Sequence, residues 1–236
     1  MILELKDLHT YYGKSHVLQS VNLSLNQGDM VCLLGRNGVG KSTTLKSIIG
    51  LVRPRRGQIL FRQKDLVGSP PYAIARLGVG YVPEERRIFK SLTVLENLQI
   101  GLKPPPAGGS YEPWTADRIF QNFSLLAKRR NHKGGHLSGG EQQMLTVART
   151  LMGNPELLLV DEPTEGLAPL VAESVLEMLG TISKSGVTIL MVEQNYKAAL
   201  KLAGSFYIMS KGHIVFQGNG EDLIAAEDVR RKYLEV

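Results

Sequence analysis

The segment Met30-Val31-Cys32-Leu33-Leu34 is continuously apolar, stops at Gly35-Arg36-Asn37-Gly38-Val39-Gly40-Lys41-Ser42, and continues through Thr43 and helix-forming residues to Ile49. No other feature of the chain constrains the fold as tightly. An unbroken apolar run reads as a strand buried on both faces. Glycine punctuation between such a strand and a helix reads as a phosphate-binding turn. Gly35, Gly38 and Gly40 let the backbone curl so that successive N–H groups point inward, and the helix that follows adds its positive end. On this reading Lys41 reaches the β and γ phosphates and the Ser42 hydroxyl ligates Mg²⁺. Each charge-assisted hydrogen bond contributes roughly 1.5–3 kcal/mol, so several together hold a triphosphate firmly.

A loop of this kind leaves kinases, GTPases and many ATPases open, and a second segment narrows the choice. Leu158-Leu159-Val160-Asp161-Glu162-Pro163 places Asp161 at the end of another buried strand, where its carboxylate can hold the Mg²⁺ shell. Glu162 follows directly and is placed to orient and deprotonate an attacking water. Such general-base assistance contributes about 10²–10⁴ in rate.

Composition excludes several alternatives. With 43% hydrophobic and 21% charged residues the chain is of globular type, neither disordered nor collagen-like. One cysteine, Cys32, rules out a disulfide framework and a cysteine-rich zinc module. The net charge of +6 is mild, and the basic clusters Arg53/Arg55/Arg56 and Lys128/Arg129/Arg130 lack interleaved aromatics, so no nucleic-acid partner is expected. No apolar stretch reaches the roughly 18–20 residues that span a bilayer, and charges interrupt the apolar start at once. Any membrane role is therefore expected through docking on another protein.

The organisation expected is a single domain over 1–236, with a mixed α/β core interrupted by a helical insertion over about 86–150. Strands are predicted near Leu3–Leu8, Val17–Leu25, Leu157–Val160 and Val187–Val192, with a hairpin from Phe206 to Gln217. Helices are predicted over Ser42–Ile49, Thr93–Leu102, Thr115–Arg130, Pro169–Lys184 and Glu227–Val236. A further one is predicted to Leu77, opened by Ser69 as cap and Pro70 as first residue. The stretch Lys103–Ser110, rich in proline and glycine, is predicted to be a surface connection. Trp114 and Cys32 are read as packing residues, and the histidines show no metal-ligand spacing.

A third segment, Leu137-Ser138-Gly139-Gly140-Glu141-Gln142-Gln143, offers a second glycine-bearing helix start, this time without a lysine. Together with the two segments above it resembles the signature sequence of ABC-transporter ATPases, and the resemblance covers essentially the whole chain. It implies a P-loop NTPase core of mixed sheet with flanking helices, an antiparallel β part and an inserted helical signature subdomain. It also implies that Ser138, Gly139 and Gly140 contact the γ-phosphate held by the phosphate loop of a second cassette, so that two cassettes enclose two ATP molecules. One phosphate loop and one signature then require a partner cassette, identical or different. The resemblance assigns Tyr12 to stacking on adenine, with Tyr11 as rival, and sets Thr43 beside the Mg²⁺-ligating Ser42.

Three positions depart from that family's usual pattern. Glu84 stands where glutamine is usual, and as a carboxylate it can still ligate Mg²⁺. Gln194, in Val192-Glu193-Gln194-Asn195, replaces the switch histidine; it can hydrogen-bond a γ-phosphate but cannot carry the proton or positive charge of histidine. Ala168 replaces an aspartate. With Lys41, Ser42, Asp161, Glu162 and Ser138 intact, these departures resemble one subgroup, the ATPases of branched-chain amino-acid uptake systems. That resemblance implies ATP hydrolysis beneath two membrane permease subunits fed by a periplasmic solute-binding protein. It places the chain on the cytoplasmic face of the inner membrane, as a peripheral subunit. Urea and short-amide importers remain open, as does a nucleotide-binding regulator with impaired hydrolysis. A soluble cassette protein of repair or translation would need two cassettes or long insertions, for which 236 residues leave no room.

Overall fold

Alternate residues of Met30–Leu34 (β3) point to opposite layers: Met30, Cys32 and Leu34 join one apolar cluster, Val31 and Leu33 the other. The computed structural model describes residues 1–104 and 112–235. Most of the Lys103–Ser110 connection, and Val236, lie outside them. Two sheets organise the chain. Leu3–Tyr12 (β1), Ser15–Leu25 (β2), Arg56–Phe61 (β4) and Lys64–Asp65 (β5) form an antiparallel sheet in the order β2-β1-β4-β5. The second sheet adds Val79–Val82 (β6), Leu157–Asp161 (β7), Thr188–Glu193 (β8), Ser205–Ser210 (β9) and His213–Asn219 (β10) to β3, in the order β10-β9-β3-β8-β7-β6. Its strands run parallel except β10, which returns antiparallel beside β9 through the expected hairpin.

One face of this central sheet packs against the antiparallel sheet, with Leu45 and Ile48 of Lys41–Ile48 (α1) and Ile74 of Pro71–Arg76 (α2) in the same cluster. The other face carries the helices. Val94–Ile100 (α3), Ala116–Asn122 (α4), Ser124–Lys128 (α5) and Gly139–Leu151 (α6) all fall between β6 and β7. Pro169–Lys184 (α7), Tyr196–Ala199 (α8), Gly220–Ala225 (α9) and Glu227–Tyr233 (α10) complete the set. The layers are those of an α/β core joined to an antiparallel sheet. Leu157 to Val160 are fully buried, and each such side chain contributes roughly 1.5–3 kcal/mol relative to exposure.

Local chemistry explains the helix starts. Thr93 and Glu96 make a reciprocal capping box at α3, as do Ser138 and Glu141 at α6. Among the differences from expectation, two have a local cause. Pro70, not Ser69, is the cap of α2, with Pro71 its first residue and no side-chain cap. The single helix expected over Thr115–Arg130 is broken at Phe123 (φ −123°, ψ 80°), whose ring stacks 6.0 Å from that of Trp114. Trp114 is buried, as its packing role requires. α6 meets α7 at Gly140, where a Cβ would stand 1.9 Å from Val171 Cγ1.

Candidate functional site: a phosphate loop and its carboxylates

The turn after β3 has the shape the glycines predict. Gly40 lies at φ +114°, and a Cβ there would be 2.8 Å from Leu18 Cδ2 and 3.1 Å from Met209 Sδ. At Gly35 it would stand 2.5 Å from the Met209 carbonyl oxygen. The β9–β10 turn steadies the loop from outside, the Gly212 N–H donating to the Val39 carbonyl at 2.9 Å. Lys41 is buried at 3% exposure, with Nζ 2.9 Å from the Gly35 carbonyl, 3.0 Å from that of Arg36 and 2.9 Å from Glu162 Oε1. Ser42 and Thr43 follow in the first turn of α1.

The two carboxylates expected at the end of β7 are both buried. Asp161 Oδ2 accepts from the Tyr81 hydroxyl at 2.9 Å, while Oδ1 has no hydrogen-bond partner among the described residues. Burial holds the Asp161 carboxyl above its usual range, against the opposing pull of the Ser42 and Tyr81 hydroxyls. A buried carboxylate oxygen without a donor, next to a serine hydroxyl, is the hard-oxygen pair that suits Mg²⁺. The glycine cradle, the Lys41 ammonium and this oxygen pair together fit a nucleotide polyphosphate and its metal.

Glu162 stands at φ +41°, a left-handed conformation unusual for a residue with a side chain. Its N–H donates to the Val192 carbonyl at 3.1 Å. Its Oε2 accepts from Gln194 Nε2 at 3.0 Å, and the same Gln194 nitrogen bonds Asn37 Oδ1 of the phosphate loop. Burial disfavours the Glu162 charge, but hydrogen bonds from Glu165, Lys41 and Gln194 outweigh it and hold the carboxyl below the usual range. The cost is transferred to Glu165, pushed up to about 7 by its hydrogen bond to Glu162, by burial and by the Glu162 and Glu84 charges.

A cavity of about 300 Å³ brings together Asn37, Gly38, Gly40, Lys41, Ser42, Thr43, Glu84, Glu162 and Glu165. Ser138, Gly139 and Gly140 stand apart from it at the start of α6, where the Arg86 guanidinium lies against Gly139. The two tyrosines differ sharply. Tyr11 is stacked on His16 (centroids 4.1 Å apart) and covered by Arg55 at 4.4 Å, whereas Tyr12 is 48% exposed. Tyr12 is the more exposed of the two rings.

Three supporting residues escaped the reading of motifs. Glu193 is buried, accepts from the Thr164 hydroxyl at 2.7 Å and its N–H at 3.2 Å, and so fastens the turn after Glu162 to the end of β8. Glu193 ends an apolar strand just as Asp161 does, and that shared position was the available signal. Tyr81 and Glu165 carry no such mark.

A family model described as ABC transporter matches residues 18–165. The chain is 39% identical over 238 residues to the high-affinity branched-chain amino acid transport ATP-binding protein BraG of Pseudomonas aeruginosa, covering 99% of each chain. It is 33% identical over 233 residues to the lipopolysaccharide export system ATP-binding protein LptB of Escherichia coli, covering 98% of this chain and 96% of the other. Among solved structures, a nucleotide-free ATP-binding cassette from an ABC transporter superposes with a TM-score of 0.81 at 30% identity, covering 95% of this chain and 93% of that one. The same architecture, the three motifs in their expected places and likeness from end to end leave one assignment: this chain belongs to the ATP-binding cassette ATPases of the ABC transporter family.

Proposed function

We propose that this chain is the ATP-hydrolysing subunit of an importer for branched-chain amino acids, working as a pair of cassettes at the cytoplasmic face of the inner membrane. The observation that carries the substrate class is the 39% identity to BraG over 99% of both chains. Gly35 to Thr43, with Tyr12, would hold ATP, and Ser42, Asp161 and Glu84 its Mg²⁺, which supplies neutralisation of phosphoryl charge. Lys41 places a buried cation in the loop. Glu162, held ionised beside it, is the base that takes the proton of the attacking water at an Oε atom. Gln194 fixes that carboxylate relative to Asn37. Ser138, Gly139 and Gly140 serve the nucleotide of the partner cassette.

The permease side is supported by a groove of about 480 Å³ between α2, β6, α3 and α6, bordered by Leu51, Tyr72, Ile100, Lys103 and Arg149. Leu51, Tyr72 and Ile100 are more than half exposed, and apolar side chains grouped this way mark an interaction surface. Among the described residues no helix is long and apolar enough to cross a membrane, so a permease is the route by which such a subunit meets one. On this reading residues 86–150 form the helical subdomain that carries closure to the permeases, and a periplasmic binding protein delivers the solute to them.

A second reading, a cassette for lipid export, is favoured by the 33% identity to LptB. Uptake of labelled leucine and labelled urea in cells lacking the gene, complemented with the unaltered chain or Glu162→Gln, tests the proposal. Leucine uptake restored by the unaltered chain alone is expected. Restored urea uptake would move the chain to a short-amide importer. Loss of lipopolysaccharide export with both uptakes intact would select the second reading.

A further inference from the structure

One residue outside the motifs ties two walls of the nucleotide site together, through its main-chain carbonyl on one side and its side chain on the other. The Glu235 carbonyl oxygen accepts from Arg36 Nη2 at 2.6 Å, and its carboxylate Oε1 accepts from the Tyr196 hydroxyl at 2.8 Å. Arg36 belongs to the phosphate loop, and Tyr196 opens α8 two residues after Gln194. These are the segments that meet directly where Gln194 bonds Asn37 and Glu162. Glu235 is itself fixed to the core. Its N–H donates to the Arg230 carbonyl at 2.9 Å, the Arg230 guanidinium donates to the carbonyls of Leu223 and Ile224, and Leu223 is fully buried.

α8 gives a reason for such a bridge. It has four residues, far too few to hold its own conformation, so the direction in which Gln194 points depends on bonds made to the rest of the chain. The Asn195 side chain caps the Ala198 N–H at 3.2 Å, which shapes the turn but leaves its placement open. The Tyr196–Glu235 bond supplies that placement from one side and the Gln194–Asn37 bond from the other.

We propose that Glu235 is a positioning residue for hydrolysis: by holding Tyr196 and Arg36 at once, it fixes the Gln194 segment against the phosphate loop and so keeps Gln194 on the Glu162 carboxylate. The inference rests on the assignment of Glu162 and Gln194 made above. A hydrogen bond of ordinary net strength corresponds to a factor of about two to ten, which is the size of effect to look for.

The test uses the full chain in five versions besides the unaltered one: Tyr196→Phe, Glu235→Ala, Glu235→Gln, the double variant Tyr196→Phe/Glu235→Ala, and Glu162→Gln. Mg-ATP turnover and amide hydrogen exchange of Ala198 to Leu200 are measured on each. Tyr196→Phe and Glu235→Ala should each lower kcat about two- to tenfold with little change in KM, and speed exchange by a similar factor. Glu235→Gln, which can still accept from the tyrosine, should stay near the unaltered chain, and the double variant should be no worse than its worse parent. The bridge is refuted if Glu235→Ala leaves exchange unchanged, if Glu235→Gln behaves like Glu235→Ala, or if the two losses multiply. Full turnover by Glu162→Gln would instead overturn the assignment of the base, with the exchange result still deciding the bridge.

Discussion

Glu162 occupies a backbone conformation that costs a residue with a side chain about 1–3 kcal/mol, and its neighbours over-determine it. The Val192 carbonyl fixes its N–H, Glu193 fixes Thr164 two residues on, and Lys41 and Gln194 grip the two carboxylate oxygens. Glu162→Gln keeps the shape and removes the proposed base, so Mg-ATP turnover should fall about 10²–10⁴-fold while nucleotide binding, followed by calorimetry, persists. Lys41→Ala removes a buried cation from both the loop and Glu162. ATP affinity should fall by about tenfold or more, the loss of one charge-assisted hydrogen bond. The places of Lys41, Ser42, Asp161 and Glu162 in the fold were legible because a fixed local spacing sets them at a helix start and a strand end. Glu193 was not, because its role is set by Thr164, 29 positions away in the chain. Tyr11 and Tyr12 look equivalent in sequence, and only the neighbouring strand, which brings His16 under Tyr11, separates them.

Strands with continuous apolar runs, and α7 with proline at its first position, stood where the sequence placed them. The run from Thr115 did not, since Phe123 trades helix continuity for a place beside Trp114, and tertiary packing of one ring outweighs local propensity. α6 shows the reverse case, where local chemistry decides. Ser138 caps the Glu141 N–H while the Glu141 carboxylate returns to the Ser138 N–H at 2.8 Å. Ser138→Ala should lower stability by about 1 kcal/mol, readable as a shift in urea midpoint. Burial disfavours the Glu141 charge, but the Ser138 N–H and Arg129 outweigh it and hold the carboxyl below its ordinary 4.5. Its folded value is depressed, so the stabilisation is present above pH 4.5 and is lost as pH falls through the folded value. Glu141→Gln should therefore flatten the acid limb of a plot of melting temperature against pH.

Across the whole molecule, the parallel strands β3, β7 and β8 all deliver their carboxyl ends to one edge, where the phosphate loop and Glu162 line one crevice and Gln194 bonds both Asn37 and Glu162. The exposed apolar groove lies elsewhere, bordered by α2, α3 and α6. That separation predicts that Leu51→Asp with Ile100→Asp will spare ATP hydrolysis by the purified chain and abolish solute uptake in complemented cells. The α/β order could be read from the alternation of apolar runs, whereas the groove could not, because its borders come from segments far apart in sequence. Buried Asn154 joins two segments far from the crevice. Its Nδ2 donates to the Lys103 carbonyl at 3.1 Å and its Oδ1 accepts from the Trp114 N–H at 2.6 Å, so one side chain holds Lys103 and Trp114 together. Asn154→Ala removes both bonds at once and should cost about 1–3 kcal/mol, read as a lowered melting temperature of the cassette.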